Sequence, residues 1–240
     1  ACYQKYRLRS KFAQIHMKNL LLLLLLIPCV SNANNYYVSP SGNDSNTGSI
    51  GSPFKTLTKA STVLAARPLK GAGDTVFVRG GTYNGWPNTP VNGYAYMLLN
   101  NIKGTATSPC VFMNYPGESP VFDFTGVVIS STRPSPTGLS IFNTDYLHFK
   151  GIRFTGLKQI LDGSGVSRGL ELNNCNWCVI EQVEIDHFQG TAFFGSGSVY
   201  DCTFKNCDAH HNDDRLSANS SGVPGSDAWD NADGFGFTGA

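Results

Sequence analysis

Short apolar triplets with a polar residue at the centre recur along this chain, and their spacing restricts the possible folds more than any other feature. Their last residues lie 30, 31 and 19 positions apart, and the stretches between them are rich in Gly, Asn and Asp. These intervals are too long for tight hairpins and lack the helices of a βαβ pattern. They favour a solenoid in which each coil adds one short strand to a parallel sheet, with an irregular antiparallel sandwich as the alternative. The triplets are Phe122-Asp123-Phe124, Ile152-Arg153-Phe154, Val183-Glu184-Ile185 and Cys202-Thr203-Phe204.

Further patterns predict the elements around the triplets. Ser52 and Pro53 supply an N-cap and a first-turn proline, and apolar residues at helical spacing follow them. We therefore expect an amphipathic helix over residues 53–66 that covers the open end of the first coil. The sequence stops at Ala240 without a polar terminal coil, so we expect a fragment with further coils beyond it. The expected strands are 75–79, 111–114, 121–124, 147–154, 179–185 and 199–204.

The first part of the chain is typical of a secretory signal. Met17-Lys18-Asn19 is a short positive start, residues 20–27 are an unbroken apolar run, and Ser31-Asn32-Ala33 places small residues at a cleavage site. The apolar run is too short to span a membrane, and a buried or membrane helix is the alternative. We expect residues 1–16 to be upstream non-native sequence and residues 17–33 to be a bacterial-type signal peptide. Residues 34–240 would then be one secreted β-helix domain, with its cap at about 36–83, and no membrane attachment.

The charge balance of the mature protein argues against one class of partner. Five of the 18 basic residues precede Ala33, whereas none of the 17 acidic residues does, so 13 basic and 17 acidic residues follow the signal. A mildly acidic protein gives no reason to expect nucleic acid as a partner.

Five cysteines follow the signal segment, and their state is open at this point. Secretion permits disulfides, but the odd number leaves one cysteine unpaired. Packing in the core as small apolar residues and a zinc site are the alternatives. The five are Cys110, Cys175, Cys178, Cys202 and Cys207.

Acidic residues concentrate near the end of the chain. Six of the 17 lie between Asp208 and Asp233, and Arg215 is the one basic residue in that window. Clustered carboxylates with interspersed Asn suit Ca²⁺, which takes several oxygen ligands. The other interpretation is that these aspartates cap turns or stand in solvated loops. The six are Asp208, Asp213, Asp214, Asp227, Asp230 and Asp233.

At this point the chain resembles a known group of secreted proteins. One set of segments looks like the N-terminal cap and first coils of right-handed parallel β-helix proteins, a pattern shared by several polysaccharide lyase families. A second set resembles the calcium-site region of family 9 pectate lyases. The first set is residues 36–44, 53–57, 73–83 and 115–123, and the second is Asn206-Cys207-Asp208-Ala209 with Asn231-Ala232-Asp233-Gly234-Phe235.

The resemblance implies a fold, a reaction and a set of ligands. It implies an all-β, right-handed parallel β-helix that cleaves pectate or polygalacturonate by calcium-dependent β-elimination. Asp208 and Asp233 match the ligand positions best, and Asp230 comes next. Trp229 stands where the family tends to have a further aspartate, which leaves Asp227 or Asp214 to complete the site. The lysine that removes the proton in that family would fall beyond Ala240.

Two basic residues are candidates for substrate contacts by residue type alone. Arg215 suits bidentate contacts with substrate carboxylates, and Lys205 lies on the strand before the acidic segment. We expect a monomer, because nothing in a solenoid lyase requires a partner subunit.

Two other functions stay open. A glycoside hydrolase on the same scaffold would need two or three carboxylates around the scissile bond, and Asp208, Asp230 and Asp233 fit that requirement. A non-catalytic carbohydrate-binding or adhesive solenoid would use the same aspartates to hold a structural Ca²⁺.

Overall fold

The structure is a computed structural model that describes residues 33–67, 73–87, 90–129, 136–159, 166–213 and 234–238. The upstream segment 1–16 and the signal peptide 17–33, apart from Ala33, lie outside the described residues and stay predictions. Within the described part, no helix is long and apolar enough to cross a membrane. The elements are α1 (Leu57–Ala65), β1 (Asn35–Val38), β2 (Thr75–Val78), β3 (Gly81–Tyr83), β4 (Ala95–Asn100), β5 (Cys110–Asn114), β6 (Pro120–Asp123), β7 (Thr137–Phe142), β8 (Leu147–Lys150), β9 (Arg153–Thr155), β10 (Ser167–Asn176), β11 (Val179–Glu181), β12 (Glu184–Asp186), β13 (Gly190–Tyr200), β14 (Thr203–Lys205), β15 (Asp208–His210) and β16 (Phe235–Thr238).

The strands form three parallel sheets, and each of the five coils that begin at β2, β5, β8, β11 and β14 contributes one strand to each sheet. Sheet I runs β1-β2-β5-β8-β11-β14, sheet II runs β4-β7-β10-β13-β16, and sheet III runs β3-β6-β9-β12-β15. The chain passes from sheet I to sheet III and then to sheet II before it starts the next coil. This is a parallel β-helix, so the predicted solenoid is confirmed and the sandwich alternative is wrong. The prediction of one strand per coil is also wrong, since each of these five coils has three.

The extra strands come from sharp corners that the sequence pattern does not show. The expected strands 147–154, 179–185 and 199–204 are each divided by one residue in the left-handed region. These residues are Gly151 (φ 71°), Gln182 (φ 52°) and Asp201 (φ 50°). A single left-handed residue turns the chain without interrupting the apolar pattern, so two strands on different sheets resemble one strand in sequence.

The register shows which triplets are equivalent. On sheet III, Phe154 and Ile185 are the last residues of their triplets and are aligned with each other. Phe154 is also aligned with Phe122, which is the first residue of its triplet. Phe204, however, pairs with Ile180 on sheet I. The fourth triplet therefore belongs to a different side of the coil from the others, which explains its short interval.

The core consists of columns of apolar side chains that stack from coil to coil inside the three sheets. Burying each such side chain stabilises the fold by roughly 1.5–3 kcal/mol. The fully buried members include Phe112, Phe149 and Ile180 on sheet I, Leu139, Leu170 and Phe193 on sheet II, and Phe122, Phe154 and Ile185 on sheet III.

Helix α1 begins four residues later than the sequence predicts. Phe54 is extended and buried, because its N–H donates to Tyr37 O (2.9 Å) and its carbonyl accepts from Ser39 N (2.9 Å). Ser52 and Pro53 are therefore part of a segment that packs beside β1. The true cap is Thr56, whose hydroxyl accepts from Lys59 N, so the predicted start at residue 53 is wrong.

Candidate functional site

Asp208 is the one predicted calcium ligand that lies within the described residues. It starts β15, its N–H donates to Val183 O (2.9 Å), and its side chain points away from the core with 69% of its surface exposed. Ala209, the next residue, packs against the core. The other proposed ligands, Asp227, Asp230 and Asp233, lie outside the described residues, as does Arg215. The structure therefore gives the geometry of one ligand and not of the set.

Lys205 lies on a different side of the coil from Asp208. It ends β14 on sheet I, and the left-handed corner residue Asn206 separates it from β15 on sheet III. Its Nζ is 3.4 Å from Glu181 Oε1, and Lys150 Nζ is 3.3 Å from the same oxygen. The structure thus places Lys205 in an ion pair on sheet I and does not bring it to Asp208.

On the outer face of sheet I, Lys205 and Lys150 share one negatively charged partner, Glu181. Glu181 is buried, and its second oxygen lies 2.8 Å from His148 Nε2. Burial by itself would raise the pKa of Glu181, but the hydrogen bonds from Lys150, His148 and Lys205 outweigh it and lower the pKa. One carboxylate therefore stays charged and serves both lysines.

A second acidic group lies beside Asp208 on sheet III. Glu184, Asp186 and His210 each offer a ligand atom, and these atoms lie within 4.8 Å of one another. The register explains the cluster, since Glu184 pairs with Asp208 and Asp186 pairs with His210 on neighbouring strands. Alternate residues of a strand face the same side, so all four side chains share the outer face of the sheet.

Arg153 neutralises this group. Its Nε lies 2.6 Å from Asp186 Oδ2 and 3.1 Å from Glu184 Oε1. The other oxygen of Asp186 accepts from Thr155 Oγ1 and lies 2.7 Å from His187 Nδ1. Burial alone would raise the pKa of Asp186, but the hydrogen bonds from Arg153, Thr155 and His187 outweigh it and hold the pKa well below its usual range.

These contacts decide which carboxylates are available to a divalent cation. Asp186 has both oxygens engaged, and a guanidinium already supplies the positive charge that a metal would bring. Asp208 is different, because among the described residues the nearest basic side chain is the imidazole of His210, with Nε2 3.9 Å from Oδ2. An exposed carboxylate without an arginine or lysine partner in the described part of the chain fits Ca²⁺ better than the Glu184 group does.

The sequence marks Asp208 as a candidate, whereas it did not draw attention to Glu184, Asp186 and Arg153, which lie close to it on sheet III. A signal for them was present, since Val183-Glu184-Ile185-Asp186 and Asp208-Ala209-His210 both alternate polar and apolar residues. Two such segments aligned on neighbouring strands place their polar residues together. The alignment of these two segments was hidden, because Cys202-Thr203-Phe204, which lies on sheet I, was matched to Val183-Glu184-Ile185 in place of Asp208-Ala209-His210.

The outer face of sheet II carries another polar group that is partly covered. Arg168 stacks on Phe194, with Cζ 4.0 Å from the ring centroid, and its Nη1 lies 3.7 Å from Glu171 Oε1. Ser196 Oγ donates to the same oxygen (3.0 Å). Glu171 Oε2 and Arg168 Nε are buried and have no hydrogen-bond partner within the described part of the chain. Buried polar atoms of this kind are uncommon in folded proteins.

Comparison with known proteins gives a family-level match. The sequence model of the family described as "Pel9A-like, right handed beta helix region" matches residues 36–239. Pectate lyase PEL9 of Emericella nidulans is 31% identical to the chain over 128 residues, which is 53% of this chain and 27% of that protein. The chain therefore spans about a quarter of the length of this curated relative.

Two solved structures are similar to the described β-helix at low sequence identity. A rhamnogalacturonan lyase is 17% identical with a TM-score of 0.47, and the match covers 86% of this chain and 63% of that chain. The crystal structure of pectate lyase Pel9A is 16% identical with a TM-score of 0.41, and the match covers 88% of this chain and 60% of that chain.

Proposed function

The chain belongs to the Pel9A-like right-handed β-helix family, and we propose from this premise that it is part of a secreted, calcium-dependent polysaccharide lyase. Its substrate would be an acidic polysaccharide, pectate or polygalacturonate, cleaved by β-elimination. One observation carries the proposal: the family match runs over residues 36–239 and so includes both Asp208 and Asp233. The name of the curated relative, a pectate lyase, supports the same reaction.

Asp208 is the residue to which we assign calcium binding with most support, joined by Asp233, Asp230 and Asp227. Its carboxylate is exposed and lacks a lysine or arginine partner among the described residues. Gly234, which follows Asp233 in the chain, lies beside Ala209, which follows Asp208, because a Cβ placed on Gly234 would be 3.6 Å from that of Ala209. Asp208 and Asp233, the two strongest ligand candidates, therefore each come directly before one member of a contact within the last coil, between β15 and the start of β16.

The residues of this chain would hold the cation and position the substrate. When bound, calcium would neutralise the repulsion between the aspartates and a uronate carboxylate and would increase the acidity of the substrate C5 proton. Asp208 would hold the cation on the outer face of β15. Arg215 stays a proposed substrate contact, whereas Lys205 is occupied by Glu181 on sheet I. No residue of this chain is assigned as the base.

The test uses the complete secreted protein incubated with polygalacturonate, in calcium or in a chelator. Ultraviolet absorbance would report the unsaturated product. We expect absorbance to rise only with calcium, and Asp208→Asn to lower the rate roughly tenfold or more at limiting calcium, because a charged ligand is lost. Raised calcium should restore part of this rate.

Asp201→Asn is the matched control. Asp201 is also an exposed aspartate, and Asn tolerates its left-handed backbone. Its rate should equal that of the wild type. New reducing ends without unsaturated product would replace the proposal with hydrolysis. Binding without any cleavage would replace it with a non-catalytic solenoid.

A further inference from the structure

The cysteines inside the β-helix are arranged by the coil register, and only some of them are neighbours. The residues at or just before the first position of each strand of sheet I form an inward-facing column. The register defines it: Cys110 pairs with Leu147, and His148, the next residue, pairs with Val179, which in turn pairs with Thr203. The residues before Val179 and Thr203 are Cys178 and Cys202. The column therefore reads Cys110, Leu147, Cys178 and Cys202, and two cysteines occupy adjacent coils.

The backbone and sulfur contacts show that these two residues meet. Thr203 N donates to Cys178 O (2.8 Å), which fixes the coils at this point. Cys202 Sγ also donates to Cys175 O (3.5 Å), at the corner that comes just before Cys178. Neighbouring strands lie about 4.8 Å apart, which is within the range of about 4.4–6.8 Å between Cα atoms that a disulfide spans.

The other cysteines lack such a neighbour or lack access. Cys110 is separated from Cys178 by Leu147 in the same column. Cys207 follows Asn206 at the next corner, where its counterpart on the preceding coil is Val183. Cys175 and Cys178 are both fully buried, so an oxidant reaches neither of their sulfurs before it reaches Cys202.

We propose that Cys178 and Cys202 form a disulfide between successive coils, and that Cys202 is the sulfur that first meets the oxidant. Cys202 is only partly buried, beside the exposed corner of Tyr200 and Asp201. The oxidant is a low-molecular-weight or protein disulfide. The Cys202 thiolate attacks one of its sulfurs and releases a thiolate. Cys178 then attacks the Cys202 sulfur, gives its proton to the released thiolate, and displaces the second thiolate. Two protein thiols are oxidised to one disulfide, and the oxidant is reduced to two thiols.

The electrostatics of the pair favour this order of attack. The neighbouring Cys178 thiol lowers the pKa of the Cys202 thiol to about 7, against burial, which would raise it. The neighbouring thiols of Cys175 and Cys202 raise the pKa of Cys178, and burial raises it further. Since the thiolate is the nucleophile, Cys202 should react with the external disulfide and Cys178 should resolve the adduct.

The experiment uses the purified full chain, reduced and then treated with oxidised glutathione under native conditions. Peptide mapping without reductant should show a Cys178–Cys202 crosslink. In the Cys178→Ser variant, Cys202 should retain one glutathione, because the resolving thiol is gone. Native alkylation of the reduced wild type should label Cys202 roughly tenfold faster than Cys207, whose thiol pKa is raised, chiefly by burial.

Cys207→Ser is the matched control, since Cys207 is also partly buried at a corner but has no thiol neighbour on the preceding coil. This variant should form the same crosslink as the wild type. Thiols that all stay free, a Cys175–Cys178 link, or glutathione retained on Cys207 in place of Cys202 would each overturn the proposal. Circular dichroism of both variants would confirm that they are folded before the maps are compared.

Discussion

At the scale of single residues, the sharp corners of the β-helix depend on backbone conformations that most side chains avoid. Gly151, Gln182 and Asn206 occupy the same corner between sheets I and III in successive coils, and all three have positive φ. The N–H of Gly151 donates to Glu181 O (3.0 Å) and that of Gln182 donates to Lys205 O (2.9 Å). These bonds extend the coil-to-coil ladder through the corner, so the left-handed residues are part of the stack.

Gly151→Ala should destabilise the fold more than its backbone strain alone explains. Alanine at φ 71° costs about 1 kcal/mol, and its Cβ would also lie 2.1 Å from Asn114 Oδ1. We expect a total loss of about 2–3 kcal/mol in the free energy of unfolding, measured by urea denaturation. Gly117→Ala is the control, since Gly117 has φ 77° and no atom within 4 Å of the new Cβ. Equal losses in the two variants would show that crowding against Asn114 adds nothing.

The Asp186 carboxylate should give the protein part of its stability above acidic pH. Its pKa is depressed in the folded state, so its stabilisation is present above the unfolded value of about 3.9 and is lost as pH falls toward the folded value. Asp186→Asn should lose on the order of 2 kcal/mol at pH 7, because Arg153 keeps Glu184 but loses a charged, fully buried acceptor. The difference from the wild type should shrink as the pH falls below about 4.

Urea unfolding at several pH values, in a chelator, would measure this difference. Asp208→Asn is the comparison, because Asp208 is an exposed aspartate on the outer face of the same sheet. It should change stability by less than about 0.5 kcal/mol. A loss for Asp186→Asn that stays constant down to pH 2 would contradict the assignment of the charge to Asp186.

Candidate site residues could be predicted where residues of one chemical type cluster in the sequence. They could not be predicted where residues far apart in sequence meet only through the strand register. Asp208 stands out because acidic residues cluster after it. Glu184 and Asp186 do not stand out, since their partner Arg153 is 31 or more positions away in sequence and comes next to them only through strand pairing. The assignment of Asp227, Asp230 and Asp233 as ligands stays a prediction.

At the scale of elements, helix α1 covers the open edge of β4, the first strand of sheet II, and supplies hydrogen-bond acceptors for its backbone. Strand β4 lies at the edge of that sheet, so its outward N–H groups have no partner strand. Thr58 Oγ1 accepts from Leu98 N (3.0 Å) and Ser61 Oγ accepts from Asn100 N (2.9 Å). The helix thus covers the edge with apolar side chains, and its hydroxyl groups accept hydrogen bonds from the backbone N–H groups of β4.

Ser61→Ala should lower the free energy of unfolding by about 1–2 kcal/mol, because the Asn100 N–H loses its acceptor in a covered position. Thermal or urea unfolding would measure the loss. Thr62→Ala is the control on the same helix, since Thr62 is exposed and its hydroxyl bonds only to Thr58 O within the helix. If the two variants are equally stable, the hydroxyl of Ser61 is not what protects the edge.

The existence of this helix was predictable, but its first residue was not. Leu57, Ala60 and Leu64 are buried as the apolar periodicity requires. The start was misplaced because Ser52 and Pro53 are also suitable cap residues, and only the bridge between Phe54 and Val38 shows that this segment is extended. Strand positions were likewise predictable from apolar runs, whereas their division between two sheets was not.

At the scale of the whole molecule, each coil is stabilised mainly by its neighbours. Phe154 illustrates this, because its ring lies 5.5 Å from that of Phe122 on the preceding coil and 6.1 Å from that of Phe149 in its own coil. In such a solenoid, stability is approximately a sum of coil and interface contributions. A change in one coil should therefore act most strongly on the adjacent coils.

Phe154→Ala should cost about 3–5 kcal/mol and should loosen the molecule locally. Hydrogen exchange followed by mass spectrometry should show faster exchange in β6, β9 and β12, with less change in α1 and β1. Val128→Ala is the control, since Val128 is 73% exposed, and it should leave exchange unchanged. Uniformly faster exchange over all described strands would contradict nearest-neighbour stabilisation.

The corners of the coil differ in how much chain they contain. In the last three described coils, two residues connect sheet I to sheet III, whereas the connections from sheet III to sheet II range from 3 residues (187–189) to 24 residues (211–234). Both kinds of connection join strands that keep the same parallel register. New sequence can therefore be inserted at one corner without moving a core side chain. A family built on this scaffold can acquire different loops, and so different specificities, while the strands that support them are inherited unchanged.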